Sequence, residues 1–215
     1  MYSLWILVVL GVLGWDYHGA VHWAEMYPHC AGTEQSPVDL VKLHPHLVEI
    51  ERPEAEGGKS LERDSGHGLQ VLLFSDRVLR LDGKAYHLQQ YHYHTPSENV
   101  EDGIHTCMEV HYVYQAADRA IVVLAVLIDE GENPPLEEMF ADLPVGDKTV
   151  QHDATVSLIP ESGKFRRFVG SLTTPPCTEG VNWLVAEEHA KAPKALIDKI
   201  KQTYGENNRP VQRKL

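Results

Sequence analysis

Between residues 69 and 128 the sequence passes through five stretches rich in β-branched and aromatic residues, at 69–74, 77–81, 85–95, 106–115 and 120–128, parted by turn signals such as Asp82-Gly83. Branched and aromatic side chains fit a pleated, half-buried surface, and short turns join neighbours that run antiparallel. Helical periodicity is scarcer. A short helix is predicted at 135–143, and 193–204 sets Leu196, Ile197, Ile200 and Tyr204 on one face, with Pro193 suited to the first helical position and Gly205 to the stop. Residues 32–53 are rich in turn formers and 54–68 are polar and contain glycine, which predicts loop and edge structure. The fold class is therefore mainly β (α+β), a largely antiparallel sheet with short peripheral helices.

At 215 residues and 43% hydrophobic content the chain can bury one sizeable core, and no Pro- or Ser-rich linker divides it. A single domain over 15–215 is expected. The formal net charge is −12 and Lys and Arg do not cluster, so no nucleic-acid partner is expected. Residues 1–14 form an apolar run ending in small residues, like the h-region of a secretory signal but without a basic start. The run is shorter than the about 20 residues that a helix needs to cross a bilayer. A cleaved signal peptide is expected rather than a stable membrane span, with a buried strand or an anchor as the other readings. Three cysteines, Cys30, Cys107 and Cys177, are too few for a disulfide scaffold. They leave open one long-range bridge in an oxidising compartment, or three free thiols.

Thirteen histidines stand against those cysteines, and neutral imidazole is the commonest protein metal ligand. In His92-Tyr93-His94 strand alternation sends both imidazoles to one face, where they can share an ion. His111 lies on another strand-like run, which pairing can bring alongside the first two. Three neutral nitrogens leave one tetrahedral position open. That is the donor set of a catalytic zinc, since a structural site closes the fourth position with protein. The same parity puts Glu109 on the His111 face and Gln90 on the His92 face, where each can accept the far ring N–H and orient its imidazole. The other histidines, such as His18, His22, His29, His44, His87, His105, His152 and His189, are read as surface or core residues.

Through Gln90-Tyr91-His92-Tyr93-His94, Glu109-Val110-His111 and Ser171-Leu172-Thr173-Thr174-Pro175-Pro176 the sequence resembles the alpha-class carbonic anhydrases. Further matches are Glu34-Gln35-Ser36-Pro37-Val38-Asp39, Ser65-Gly66-His67, Ser97-Glu98-Asn99, Asn182-Trp183 and Asn207-Asn208-Arg209-Pro210, so the resemblance covers residues 15–211. It implies a large twisted central sheet with Zn2+ at the floor of a conical cleft. The implied activity is reversible hydration of carbon dioxide to bicarbonate and a proton by zinc-bound hydroxide, with weak ester hydrolysis beside it. In residues, it implies His92, His94 and His111 as zinc ligands and Gln90 and Glu109 as their supports. Thr173 would accept a hydrogen bond from the hydroxide and donate to Glu98, while His67 would shuttle the proton. Val113, Val123, Leu172, Thr174, Val181 and Trp183 would receive carbon dioxide. The resemblance also implies a Cys30–Cys177 disulfide, found in secreted members, and with the leader this points to a secreted or extracytoplasmic enzyme. Cys107 has no counterpart and would link two chains or stay free, which leaves monomer or dimer open. Thr95-Pro96 departs from the Trp-Gly of animal members towards bacterial and algal forms. The competing expectation is a catalytically silent module of the same fold, used for binding or storage; loss of a ligand histidine would mark it, and none is lost.

Overall fold

Alternation along the Lys84–His94 strand sets the two faces of the molecule. Tyr91 and Tyr93 turn into the core while Gln90, His92 and His94 face the opposite way. Asp82 and Gly83, both with positive φ, close a two-residue hairpin to the Val78–Leu81 strand, so that Leu81 stands opposite Lys84. The computed structural model describes residues 14–41, 43–48, 50–51, 59–153 and 155–214. All of the expected leader but Gly14 lies outside the described residues.

Among the described residues twelve strands form the larger sheet. Its main path runs Thr149–His152, Ser60–Asp64, Leu69–Leu73, Lys84–His94, Met108–Gln115, Ile121–Glu130, Glu179–Ala186, Lys164–Ser171 and His46–Leu47. Pairing is antiparallel except that Glu179–Ala186 and Ala190–Ala192 run parallel to Ile121–Glu130. That central strand is covered on both faces, with Val122 to Ile128 at most 2% exposed, so its sequence is a continuous apolar run with no alternation. A smaller sheet joins Arg213–Lys214, Val38–Asp39, Val100–Glu101 and Ile104–His105.

Helices Pro134–Met139 and Lys194–Tyr204 pack on the tyrosine face, where Leu136, Met139, Leu196, Ile197 and Ile200 share the core with Tyr91 and Tyr93. A second apolar cluster, including Val123, Ala125, Phe168, Val181 and Trp183, lies on the histidine face. Two expectations need correction. Pro193 is the N-cap of its helix and not its first residue, because its ψ of 139° is extended. Residues 54–68 include the Ser60–Asp64 strand, whose Ser60 and Glu62 are buried despite their polarity. Cys30 and Cys177, 147 positions apart, form a disulfide packed against Trp23, and Cys107 is exposed and free. Among the described residues no helix is long and apolar enough to cross a membrane.

Candidate metal centre

In the pairing of Lys84–His94 with Met108–Gln115, His92 stands opposite His111 and His94 opposite Glu109. Residues opposite one another share a face, so the three imidazoles converge, with ring centroids 4.9, 5.3 and 4.5 Å apart. One nitrogen from each lies within 4.8 Å of the others, and among the described residues no other group of histidine, cysteine and carboxylate side chains is so placed.

The far nitrogen of each ring lies close to an oxygen, in a hydrogen bond for His92 and His94 and in proximity alone for His111. His92 Nδ1 is 2.9 Å from Gln90 Oε1, His94 Nδ1 is 2.7 Å from the Asn207 carbonyl, and His111 Nε2 is 3.0 Å from Glu109 Oε1. Facing these oxygens, the far nitrogens carry the protons, which turns the lone pairs of His92 Nε2, His94 Nε2 and His111 Nδ1 to the common centre. Burial depresses all three imidazole pKa values, for His92 and His111 with help from their neighbours, and keeps the rings neutral. His94 Nε2 is buried without a hydrogen-bond partner, an orphan in an interior that pairs its polar atoms. Three neutral nitrogen donors with an unsatisfied atom aimed between them fit a divalent zinc.

The supports are themselves held. Glu109 Oε2 accepts the N–H groups of Glu98 and Asn99, each at 2.8 Å, and Oε1 accepts Asn99 Nδ2 at 2.7 Å. Burial pushes the Glu109 carboxyl up and these bonds pull it back. Glu98, fully buried, accepts the Arg209 N–H at 2.8 Å on Oε1, while its Oε2 has no hydrogen-bond partner. Its Oε2 lies 3.6 Å from His94 Nε2 and 3.9 Å from His111 Nδ1. Burial pushes Glu98 up to about 8 against the pull of Thr173 and Arg209.

Three residues with a part in this arrangement, Asn99, Asn207 and Arg209, receive no role in the sequence reading. Asn207 supplies its carbonyl to His94, donates through Nδ2 to the carbonyls of His67 and Tyr93, and accepts the Thr95 N–H. Gly68 permits this approach, since a Cβ there would stand 2.4 Å from Asn207 Nδ2. Arg209 donates to Gln35 Oε1 and to the Ser36 and Cys30 carbonyls. Their signals in the sequence are Ser97-Glu98-Asn99 and Asn207-Asn208-Arg209-Pro210.

A cleft of about 260 Å³ opens over the histidines, lined among others by Trp15, Tyr17, Arg63, His67, Gln70, His92, His94 and Thr174. The His67 ring stacks on Trp15, with centroids 3.8 Å apart and planes 14° apart. Burial lowers the His67 pKa, while Asp64 and Asp16 raise it. Val113, Val123, Leu172, Val181 and Trp183 belong to one apolar cluster. Trp183 brings that cluster to the centre, its ring 5.0 Å from that of His111 and its Nε1 donating to the Ser171 carbonyl.

A sheet-borne set of three histidines beneath an open cleft could hold one metal ion. Residues 18–215 match the family described as eukaryotic-type carbonic anhydrase. The chain is 34% identical over 211 residues to a carbonic anhydrase of Pectobacterium atrosepticum, covering 92% of this chain and 86% of that protein. Against a carbonic anhydrase of Neisseria gonorrhoeae it is 36% identical over 200 residues, covering 84% and 74%. The solved alpha-carbonic anhydrase of Photobacterium profundum has a TM-score of 0.85 at 34% identity, covering 93% of this chain and 96% of that one. The chain belongs to the eukaryotic-type, or alpha, carbonic anhydrase family.

Proposed function

We propose that the chain catalyses the reversible hydration of carbon dioxide to bicarbonate and a proton, using Zn2+ held by His92, His94 and His111. The observation that carries this reading is the convergence of three neutral imidazoles, two with the far nitrogen hydrogen-bonded and the third, His111, with its far nitrogen 3.0 Å from Glu109 Oε1. When bound, zinc would lower the pKa of a coordinated water from far above the physiological range to about 7, the magnitude established for carbonic anhydrases as a class.

The protein supplies the rest. With Glu98 ionised, a Thr173 hydroxyl that donates to it, the contact that pulls the Glu98 pKa down, would offer the centre only lone pairs. It therefore accepts a hydrogen bond from a proton-bearing oxygen and aims that oxygen's own lone pair at the substrate. Val113, Val123, Leu172, Val181 and Trp183 give carbon dioxide an apolar wall beside His111, and Thr174 lines the cleft. His67, in the same cleft, takes the released proton towards solvent, a role suited to an imidazole. The retained ligands, Thr173 and Glu98 favour catalysis over a silent binding or storage module. We read 15–215 as one domain, because Asn207 and Arg209 complete a centre begun at Gln90. The disulfide supports a secreted or otherwise extracytoplasmic location.

Stopped-flow carbon dioxide hydration, with and without a chelator, tests the function beside a metal count. About one zinc per chain and chelator-sensitive turnover are expected. Full activity in metal-depleted protein, or a zinc-loaded chain that does not accelerate hydration, refutes it.

A further inference from the structure

One cross-strand row on the histidine face holds a side chain that the hydration reading leaves unused. Arg63 stands opposite Gln70, Gln70 opposite His92, and His92 opposite His111. Residues in such a row share a face, and with strands about 4.8 Å apart the Arg63 backbone stands about 10 Å from that of His92. The Arg63 side chain lines the same cleft as His67, His92 and His94. Its Nε donates to Gln70 Oε1 at 2.7 Å, which fixes the guanidinium plane and leaves the Nη donors for a further acceptor.

The oxygens of the neighbouring carboxylate are engaged by backbone donors. Asp64, the carboxylate in the cleft lining, accepts the Gly66 N–H at 2.8 Å on Oδ1 and the Gly146 N–H at 3.1 Å on Oδ2. Among the described residues Arg63 is thus the one permanent cation of the lining. A chain of net charge −12 repels small anions at long range, so this local cation adds to the pull of a metal ion on an anion held beside the histidines. A guanidinium presents a planar fork of N–H donors that matches a planar oxyanion.

We propose that Arg63 is an anion-binding residue of the cleft wall, whose Nη groups hold bicarbonate and similar small oxyanions next to the metal centre. The identity of the natural anion rests on the hydration reading. Bicarbonate is the product of hydration and the substrate of the reverse reaction, and Arg63 stabilises the bound anion and the anionic transition state alike. Removing such uniform binding raises KM more than it lowers kcat.

The test uses zinc-loaded wild type, Arg63→Gln and Arg63→Lys, with zinc content and melting temperature as controls for folding. Two quantities are measured at fixed ionic strength: the KM for bicarbonate in dehydration, and the acetate dissociation constant from NMR titration, which needs no turnover. In Arg63→Gln both rise about three- to ten-fold, the range of one charge-assisted contact in a solvated cleft. Arg63→Lys, which keeps the charge but loses the fork, falls between. Because the overall equilibrium is fixed, kcat/KM for hydration drops by the same factor as for dehydration. Wild type that does not bind acetate, or constants in Arg63→Gln within two-fold of wild type, overturn the proposal. If Arg63→Gln loses zinc, Arg63→Lys decides by the same two-fold criterion. Wild type that binds acetate but does not turn over bicarbonate overturns the hydration reading and leaves the anion site standing.

Discussion

Glu109→Gln preserves shape and removes one acceptor from a place where four donors converge. The backbone N–H groups of Glu98 and Asn99 donate to Oε2, Asn99 Nδ2 donates to Oε1, and His111 Nε2 lies 3.0 Å from Oε1. An amide has a single oxygen, so in either orientation its NH2 faces two donors. Asn99 cannot turn over to help, because its Oδ1 accepts the Val38 N–H at 3.0 Å. If His111 switches tautomer to accept from the amide, its proton moves to Nδ1, the nitrogen that faces the centre, and ligation is lost instead. Two bonds to a charged acceptor at about 1.5–3 kcal/mol each give a destabilisation of about 3–6 kcal/mol. In a chain of this length 1 kcal/mol shifts the melting temperature by about 2–4 °C, so metal-free Glu109→Gln should melt at least about 6 °C below metal-free wild type. Zinc affinity should drop about 10- to 100-fold, as for other residues that orient metal ligands. Calorimetry of chelator-treated protein and zinc competition against a chromophoric chelator read the two effects. A melting point within about 2 °C of wild type, together with unchanged zinc affinity, would mean that Glu109 is protonated in the fold and that its carboxylate does not organise the site.

The remaining predictions concern the orienting hydroxyl, a second buried carboxyl and the disulfide. Thr173→Val should lower hydration kcat/KM about 100-fold with zinc still bound, the usual scale for losing one positioned hydrogen bond at a reacting centre; unchanged kinetics in the zinc-loaded variant contradict the role. Glu62 is buried with neither oxygen hydrogen-bonded, although His152 Nε2 lies 3.0 Å away, and burial together with Asp142 pushes its pKa up to about 8. The folded pKa exceeds the unfolded one, so the fold favours the protonated acid. That contribution is whole below the unfolded value of 4.5 and is lost as pH rises through about 8. Glu62→Gln cannot ionise and should gain about 2–4 kcal/mol on wild type between about pH 5 and pH 8 in denaturant titrations, a figure reduced for the nearby imidazole; parallel pH profiles rule this out. Opening the Cys30–Cys177 bridge, which closes a loop 147 positions long, should cost up to about 5 kcal/mol by loop entropy. A Cys30→Ser, Cys177→Ser double variant as stable as wild type would show that Trp23 and Arg209 hold that corner alone.

Much of the centre was legible because it obeys strand parity. His92 and His94 two apart, Gln90 two before them, and Glu109 two before His111 all share faces by the same rule that buries Tyr91 and Tyr93 behind them. Segments that break alternation were harder to read. Ser60 and Glu62 look solvated in sequence yet stand buried in a strand, and the parallel partner of Ile121–Glu130 is found in Glu179–Ala186, across a connection that carries no local signal. Least legible was His94's acceptor. A backbone carbonyl has no residue type to recognise, and Asn207 lies 113 positions away.

That distant segment shows why the centre and the fold stand or fall together. Beneath the three neutral rings the protein buries two carboxylates, Glu98 and Glu109, and one guanidinium, Arg209. Without a cation at the rings this corner carries a net negative charge in a place where unpaired charge is expensive. Burial accordingly pushes both carboxyls towards their neutral forms. A divalent ion reverses the balance, since both carboxylates then act towards it through His111, His94 and Thr173. Arg209 joins Glu98, through its backbone N–H, to the Cys30 carbonyl, through its guanidinium, so the metal centre and the disulfide corner share one residue. Zinc binding should therefore raise the unfolding free energy of the whole chain. Arg209→Met should lower the stability of the metal-free protein and enlarge that zinc increment, because the carboxylates lose their one internal counter-charge and the ion then offsets a larger deficit. Denaturant titrations with and without zinc measure both quantities, and an increment equal to that of wild type would mean that Glu98 and Glu109 are already neutral in the empty centre.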